Sequence, residues 1–506
     1  MRVKNLYIKN FRSIEELDIE LQPLCAFIGP NNAGKSNILD ALSHILGERW
    51  PTTPGAFSDR DFRNHDTTLP IEIKAIFDGL LNDDYNNPRI HGFVLKVNDP
   101  DDMEFFPIDD QEERLYYSGG RPLRISNNMR EQIPLLNIGI DRRAESQLRP
   151  TRWTFWGKIN QELNRLFGED KDKVTDFNKK ISEAVNLLQI PELQRAEQIL
   201  RKSVREQTAL SDLSLKFGLT DPVEHYKNLR PYLKNIEGGP EFDPEEMGMG
   251  TQSALVVALV DVYRQIVRES AILLIQEPEL YLHPHACRHF YSLLKELSKS
   301  GVQVIFTTHS PAFLDIADYQ SIYLVHKEEE VTKVFEGSEA GISEEDRSKM
   351  ITRFDSIASE VFFAKAVLLV EGPEDRIACS RAFQLHELDV DKEGVSITCC
   401  GGKSGIPLMA KILTSLKIPA CVLCDRDPGK PTEKESEEIK TIVGDEYFFE
   451  LPNKLEDALG LERKLDQVEL MEFLDKYDSL DEMPESFRNI IKQVIGRIAT
   501  ILGFDF

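Results

Sequence analysis

The chain has 506 residues, with 61 basic against 86 acidic side chains, a formal net charge of −25 and seven cysteines. That length provides for two or three domains with sizeable cores, and an odd number of cysteines in a long chain argues against a disulfide framework and for a reducing cytoplasm. No apolar run is long enough to cross a membrane, the opening Met1-Arg2-Val3-Lys4-Asn5 is not a signal peptide, and the acidity does not advertise a nucleic-acid binder unless a basic groove is set into it.

In chain order, residues 3–14 alternate like a strand, turn, and resume at Leu17-Asp18-Ile19-Glu20-Leu21. The apolar run Leu24-Cys25-Ala26-Phe27-Ile28 reads as a buried strand. Gly29-Pro30-Asn31-Asn32-Ala33-Gly34-Lys35-Ser36 then fits the phosphate-loop pattern G-x-x-x-x-G-K-[ST] without a mismatch. Residues 37–46 carry apolar positions at helical spacing and stop at Gly47. Strand, glycine turn and helix stand in the order that lets backbone N–H groups close around phosphate oxygens, with the helix N-terminus adding a favourable partial charge. Lys35 is placed to reach the terminal phosphates and Ser36 to sit on Mg²⁺. ATP is therefore expected at Gly29, Asn32, Gly34, Lys35, Ser36 and Asn37.

Residues 70–77 read as another strand, 82–121 as polar, turn-rich hairpins, and 135–140 as a strand delivering Asp141-Arg142-Arg143. From Phe155 to about Leu233 the texture becomes helical, with runs at 159–167, 174–188 and 193–205 set among dense charge. This is a helical insertion, either a dimer-forming arm or an ordinary subdomain.

A glycine-rich turn, Met247-Gly248-Met249-Gly250-Thr251-Gln252-Ser253, feeds a further helix. Ala271-Ile272-Leu273-Leu274-Ile275 is a second buried strand, ending in Gln276-Glu277, and residues 302–307 form a third, ending in Thr308-His309. This strand, helix and strand order resembles that of P-loop ATPases, in which the side chain holding the metal's water shell at such a strand end is ordinarily acidic. Gln276 accepts a hydrogen bond there but offers no charge, whereas Glu277, the base that would orient the attacking water, is intact. ATP binding is expected to survive and hydrolysis to be slow.

After residues 336–341 a new α/β pattern begins. Ala366-Val367-Leu368-Leu369-Val370 ends in Glu371, and Asp375 lies about one helical turn further on, so both can face one cavity. A strand at 395–399 leads into the glycine turn Cys400-Gly401-Gly402-Lys403-Ser404-Gly405. The strand starting at Ile418 ends in Asp425-Arg426-Asp427, and a period of two puts both aspartates on one side. Glu456 is a further candidate ligand, with a solvated loop carboxylate as its alternative. Hard oxygen ligands side by side repel unless cations neutralise them, so Mg²⁺ or Mn²⁺ is the natural occupant. Cys421 and Cys424 have C-x-x-C spacing without a second pair and read as core filler rather than a zinc site.

These motifs carry a resemblance. The two opening strands, the phosphate loop, the glycine turn at Gly250, the Gln276-Glu277 strand end, Leu282-His283-Pro284 and His309 resemble an ABC-type ATPase head of the branch serving DNA repair and defence. Glu371 followed by Asp425-x-Asp427 resembles the Toprim metal site of topoisomerases, primases and some nucleases. In this order the two resemble the OLD (overcoming lysogenisation defect) family of ATP-linked endonucleases, which includes the large subunit of the Gabija anti-phage system. The insertion is too short for the coiled coil of chromosome-structural ATPases.

The resemblance covers nearly the whole chain and implies an α/β protein. An ABC-type P-loop head at 1–154 and 239–345 would carry a helical insertion at 155–238 and be followed by a C-terminal Toprim domain at 346–506. It implies nucleotide contacts from Gly250, Gln276, Glu277 and His309, and metal ligands Glu371, Asp375, Asp425, Asp427 and Glu456. A C-terminal lysine would assist at the phosphate, with Lys492 as candidate and Lys403 as rival. The implied activity is two-metal nicking or cleavage of DNA under nucleotide control, in phage defence or DNA processing, by a homodimer or higher homo-oligomer that admits a UvrD-like helicase partner. An ATP-dependent clamp that binds DNA without cutting is the alternative, favoured by Gln276 and opposed by the complete acid set. Topoisomerases and primases would need a tyrosine-bearing or zinc-binding module that is absent, and a transporter ATPase has no place for the C-terminal acids.

Overall fold

Alternating apolar and polar residues build the first layer. In the computed structural model, β1 (Val3–Phe11) and β2 (Ile14–Glu20) pair antiparallel. After β3 (Leu24–Ile28), the strands β4 (Ile71–Asn82), β5 (Pro88–Asp99) and β6 (Asp102–Ile108) extend that sheet in the order β2-β1-β4-β5-β6. The polar stretch expected to form hairpins is thus more regular than its composition suggests. Phe93, Leu95 and Val97 of β5 are fully buried, and this apolar face holds the register that the charged residues between them obscure. The structure describes the chain apart from residues 152, 188–190, 192–194, 197, 199, 201–225, 227–228, 235–239, 268–270, 344, 347–355, 427–432 and 505–506.

β3 belongs to a second sheet, with β7 (Leu135–Ile138), β8 (Ile272–Gln276), β9 (Gln303–Thr307), β10 (Ile322–Glu328) and β11 (Val331–Glu336). Its order is β11-β10-β3-β9-β8-β7, parallel except for the β11 edge. All five residues of β3 and all five of β9 are buried, as continuous apolar strands covered on both faces require. α1 (Lys35–Leu46) follows β3 and buries Ile38, Leu42 and Ile45. The β11 side replaces part of the expected linker, since a short 3₁₀ turn over Gly337–Ala340 follows the strand directly.

One buried amide joins the two sheets. Gln303, at the start of β9, accepts from the Val3 N–H (2.9 Å) and donates to the carbonyls of Val3 (2.8 Å) and Gln22 (3.2 Å). Buried backbone groups of a strand end that has no ladder partner are satisfied in this way.

Residues Asp141–Glu269 form a separate compact unit. It contains α2 (Phe155–Glu169), α3 (Lys171–Leu187) and α4 (Met249–Ile266). The expected runs 159–167 and 174–188 fall on α2 and α3, and the run 193–205 lies largely outside the described residues. Thr154 caps α2 by accepting from the Gly157 N–H, and Phe155 meets Tyr263 of α4 edge to face at 5.5 Å.

Met1–Ile140 and Ser270–Phe506 make the other unit. After α5 (Pro284–Lys299), its C-terminal part holds a third sheet of β12 (Ala366–Val370), β13 (Val395–Cys399), β14 (Ala420–Asp425) and β15 (Phe448–Leu451). All pairings in the order β13-β12-β14-β15 are parallel. Around it run α6 (Pro373–Leu385), α7 (Ile406–Ser415) and α8 (Glu485–Leu502). Phe487, Ile491, Val494, Ile495 and Ile498 of α8 share one core with Leu368, Val370, Cys421 and Leu423. All seven cysteines are free thiols. Among the described residues no helix is long and apolar enough to cross a membrane.

Replacing Gln303 with Leu removes the buried amide that satisfies the N–H and carbonyl of Val3, and is expected to destabilise the protein by about 2–4 kcal/mol in denaturant titration. A loss of under about 0.5 kcal/mol would show that the amide does not hold the sheets together.

Candidate functional site

Both parallel sheets collect polar side chains at the C-terminal ends of adjacent strands, where ligands bind in open α/β sheets. In the first, the loop after β3 is shaped by two glycines. Gly29 has φ +135°, and a Cβ there would lie 2.0 Å from the Val325 carbonyl oxygen. Gly34 has φ +107°, and its Cβ would lie 2.2 Å from Thr332 Oγ1. Both positions exclude other side chains. Thr332 Oγ1 donates to the Ala33 carbonyl (2.9 Å) and shares a hydrogen bond with Ser13 Oγ (2.7 Å).

Lys35 is buried and donates to the carbonyls of Gly29 (2.9 Å) and Pro30 (2.8 Å). Burial lowers its pKa to about 8, against the attraction of Glu277 and Glu279. A glycine-shaped loop leading into a helix N-terminus around a buried ammonium fits a polyphosphate, whose charge would raise the lysine's pKa again. Ser36 and Asn32 are exposed at the same loop, Asn32 with φ 63°. Asn37 is turned away from the loop, donating to Ser13 Oγ (2.8 Å) and accepting from Arg12 (3.2 Å).

β3, β9 and β8 lie side by side, so the ends of β8 and β9 flank the loop. Gln276 ends β8, and Glu277 follows with φ 48°, an uncommon conformation for a residue with a side chain. Its N–H is held by the Thr307 carbonyl (3.0 Å) and hydroxyl (3.2 Å). His309 follows β9, and burial, with the charge of Lys35 next, lowers its pKa below the usual histidine value.

A residue with no role assigned from the sequence completes this edge. Glu279 accepts from Thr308 Oγ1 (2.9 Å) and from the His309 N–H (2.7 Å), tying the turn after β8 to the loop after β9. The sequence signal for it was a second acid two residues beyond Glu277. Gly250, by contrast, lies exposed in the first turn of α4 in the other unit.

In the third sheet, β12 and β14 are parallel neighbours with Val370 opposite Leu423. Glu371 and Asp425 are therefore delivered to the same edge, and the Glu371 carboxylate accepts the Asp425 N–H at 2.8 Å. Asp375 accepts the Gly372 N–H (2.9 Å) as a carboxylate in the first turn of α6. Burial raises its pKa to about 6; the Gly372 hydrogen bond opposes the rise, and the charges of Glu371, Glu374 and Glu456 add to it. Asp375 thus feels both Glu371 and Glu456, although the three come from different segments. Asp427 lies outside the described residues.

Lys403 and Lys492 separate cleanly. Lys403 is buried and donates to the Asp425 carbonyl (2.7 Å), beside the acids. Lys492 sits on an exposed face of α8, paired with Asp481 at 2.6 Å. Gly405 allows the Lys403 turn to close, because a Cβ there would lie 1.8 Å from the Cys400 carbonyl oxygen. Cys421 and Cys424 are buried in β14, as core filler.

Among the described residues no three His, Cys, Asp or Glu side chains converge tightly enough to hold one ion. Glu371 and Asp375 instead each spend a carboxylate oxygen on a backbone N–H. The donor set still fits a hard cation: half-buried carboxylates crowd Asp375 and raise its proton affinity, and a divalent ion would relieve that repulsion.

Comparison with known proteins agrees with this division. The AAA domain model (AbiEii toxin, Type IV TA system) matches residues 24–315, and the overcoming lysogenization defect protein-like TOPRIM domain model matches residues 362–427. The chain is 32% identical to the OLD nuclease of Thermus scotoductus, over 97% of this chain and 98% of that one. It is 27% identical to the Old nuclease of Escherichia phage P2, over 84% of this chain and 77% of that protein. With the endonuclease GajA of Bacillus cereus it shares 23% identity, over 99% of this chain and 87% of that one. The head is an ABC-type P-loop ATPase fold and the C-terminal part a Toprim fold.

A carboxylate whose folded pKa is raised stabilises the fold below its unfolded value near 3.8 and loses that contribution as pH rises through about 6. Mn²⁺ added to chelator-treated protein is accordingly expected to raise the thermal midpoint more at about pH 7.5 than at about pH 5, and Asp375→Asn to remove most of the difference. An Mn²⁺ shift equal at the two pH values would contradict the crowding of these acids.

Proposed function

The chain belongs to the OLD nuclease family, and from that premise we propose that it is a divalent-metal-dependent DNA endonuclease whose cutting is regulated by ATP. The observation that carries this reading is the convergence of Glu371 and Asp425 at one sheet edge, the carboxylate of one held on the backbone of the other. The candidate ligands are Glu371, Asp375, Asp425, Asp427 and Glu456. Divalent cations held there would supply the charge that eases deprotonation of the attacking water and stabilises the departing 3′ oxygen.

The chain's own groups do the rest. Glu371 and Asp425 fix the acidic edge, because the Glu371 carboxylate is anchored on the Asp425 N–H and their strands are paired. Asp375, with a pKa raised to about 6, can exchange a proton near neutral pH. Lys403, rather than Lys492, is the lysine that supports a phosphate at this site, since its ammonium is already bound to the Asp425 carbonyl.

At the head, Lys35 and the N–H groups of the glycine loop would hold the ATP phosphates, while Glu277 would orient water. Gln276 lacks the charge usual at its position, so the head is suited to long occupancy by ATP and to slow turnover. ATP would then act as a regulator of the nuclease rather than as its fuel. The reading extends to a role in phage defence or DNA processing.

Supercoiled plasmid incubated with the protein and Mg²⁺ or Mn²⁺ is expected to be nicked, with no product in chelator. Asp425→Ala is expected to abolish nicking, and Lys35→Ala to leave the chemistry in place, because Asp425 ends β14 of the third sheet whereas Lys35 starts α1 after β3 of the second. Plasmid left intact under every metal condition would favour a DNA clamp that does not cut. Separately, Gln276→Glu is expected to raise steady-state ATP turnover about tenfold, a barrier change of ~1.4 kcal/mol. Unchanged or slower turnover would show that the missing charge does not limit hydrolysis.

A further inference from the structure

A cleft of about 1090 Å³ lies on the antiparallel sheet, apart from both sheet edges described above, and is bordered by Tyr85, Arg89, Tyr117, Arg121 and Arg124. One wall is the turn that joins β4 to β5. The other is a small hairpin in the sequence Arg114-Leu115-Tyr116-Tyr117-Ser118-Gly119-Gly120-Arg121-Pro122-Leu123-Arg124, closed by hydrogen bonds from the Tyr117 N–H to the Arg121 carbonyl (2.8 Å) and from the Leu123 N–H to the Leu115 carbonyl (2.9 Å). These eleven residues hold three arginines, two tyrosines and no acid, directly after the acidic run Asp109-Asp110-Gln111-Glu112-Glu113. In a chain of net charge −25, such a segment is a local reversal of sign.

The acid that borders the cleft is spent on its own turn. Asp83 is 4% exposed, and its carboxylate accepts the N–H groups of Tyr85 (2.9 Å) and Asn87 (3.0 Å) and binds Arg89 Nε (2.9 Å). Arg89 also donates to the Tyr116 carbonyl (3.0 Å), so one guanidinium staples the two walls. Arg121 and Arg124 remain exposed at the rim, and Tyr85 is 72% exposed, its ring edge to face with Tyr117 at 6.2 Å. Exposed aromatic rings are costly in water and are common where a flat π-surface is to be covered. Guanidinium groups beside them match phosphates in geometry as well as in charge.

We propose that this cleft binds a single strand of DNA, with phosphates on Arg121 and Arg124 and a base stacked on Tyr85. The proposal rests on the nuclease reading for the choice of DNA, and it gives that enzyme a second hold on its substrate outside the acidic edge. The groove accounts for how so acidic a protein can engage a polyanion, because carboxylates gathered for metal repel the same strand.

Fluorescence anisotropy with a fluorescein-labelled thymidine-only strand, in chelator and without ATP, reads this binding without requiring cleavage. Arg121→Glu combined with Arg124→Glu is expected to weaken binding at least about tenfold and to flatten the log–log salt slope by about 1.4, or ~0.7 for each lost phosphate contact. Tyr85→Ala is expected to weaken binding by roughly fivefold to hundredfold with the salt slope unchanged. An ATP-binding measurement on each variant identifies any that has failed to fold.

Arginine and tyrosine variants that fold and bind the strand like the unaltered protein would overturn the proposal even if plasmid is cut. Loss of strand binding in those variants, with no cutting by the unaltered protein, would uphold the cleft and sink the nuclease reading. Tighter binding of the equivalent RNA strand would overturn the assignment to DNA.

Discussion

Parallel pairing of β12 with β14 is the constraint on which the C-terminal half depends. Its register sets Val370 against Leu423, so Glu371, one residue on, and Asp425, two residues on, emerge at the same edge and the Glu371 carboxylate reaches the Asp425 N–H. Two acids cannot be held this close by preference; they are held by what lies beneath them. Leu368, Val370, Cys421 and Leu423 are locked into one core by the apolar face of α8, and the core sets the positions of the acids above it. Beside them Asp375 has its pKa raised to about 6, by burial first and then by the charges of Glu371, Glu374 and Glu456.

The head follows the same plan with the opposite charge at its centre. Strands buried on both faces carry a phosphate loop, an amide–acid pair and a histidine to one edge, but here a buried lysine sits among them. The loop needs bracing because its glycines bring it against Val325 and Thr332, and Ser13, Asn37 and Thr332 supply the brace. Glu279 links the ends of β8 and β9, so a change at the nucleotide could reach His309 through a single carboxylate. Under the proposed function, the contrast between Gln276 and the acidic Toprim edge divides the labour, with nucleotide held in one place and bonds broken in another.

Much of this was legible in the sequence, for a physical reason. Strands buried on both faces are short apolar runs, and the polar residue that ends such a run is conspicuous, as at Ile28 before Gly29, Ile275 before Gln276, and Val370 before Glu371. What the sequence hid was contact between distant segments. Glu279 looked like one more acid in a turn until Thr308 and His309 came to meet it. The choice between Lys403 and Lys492 depended on which side of each element faced the acids, and spacing alone does not say. Residues 82–121 do hold the expected hairpin, β5 against β6, but charge on the solvent face hid how long and regular its strands are. The Asp-x-Asp pattern at Asp425 reaches Asp427, which lies outside the described residues.

The central claim is that carboxylates from separate segments gather one divalent-cation site at the ends of β12 and β14. Anomalous scattering from a crystal soaked in Mn²⁺ tests it most directly. The account predicts an anomalous peak between Glu371 and Asp425, lost in a crystal of Asp425→Asn. Manganese bound at the phosphate loop, with no peak at that edge, would contradict it.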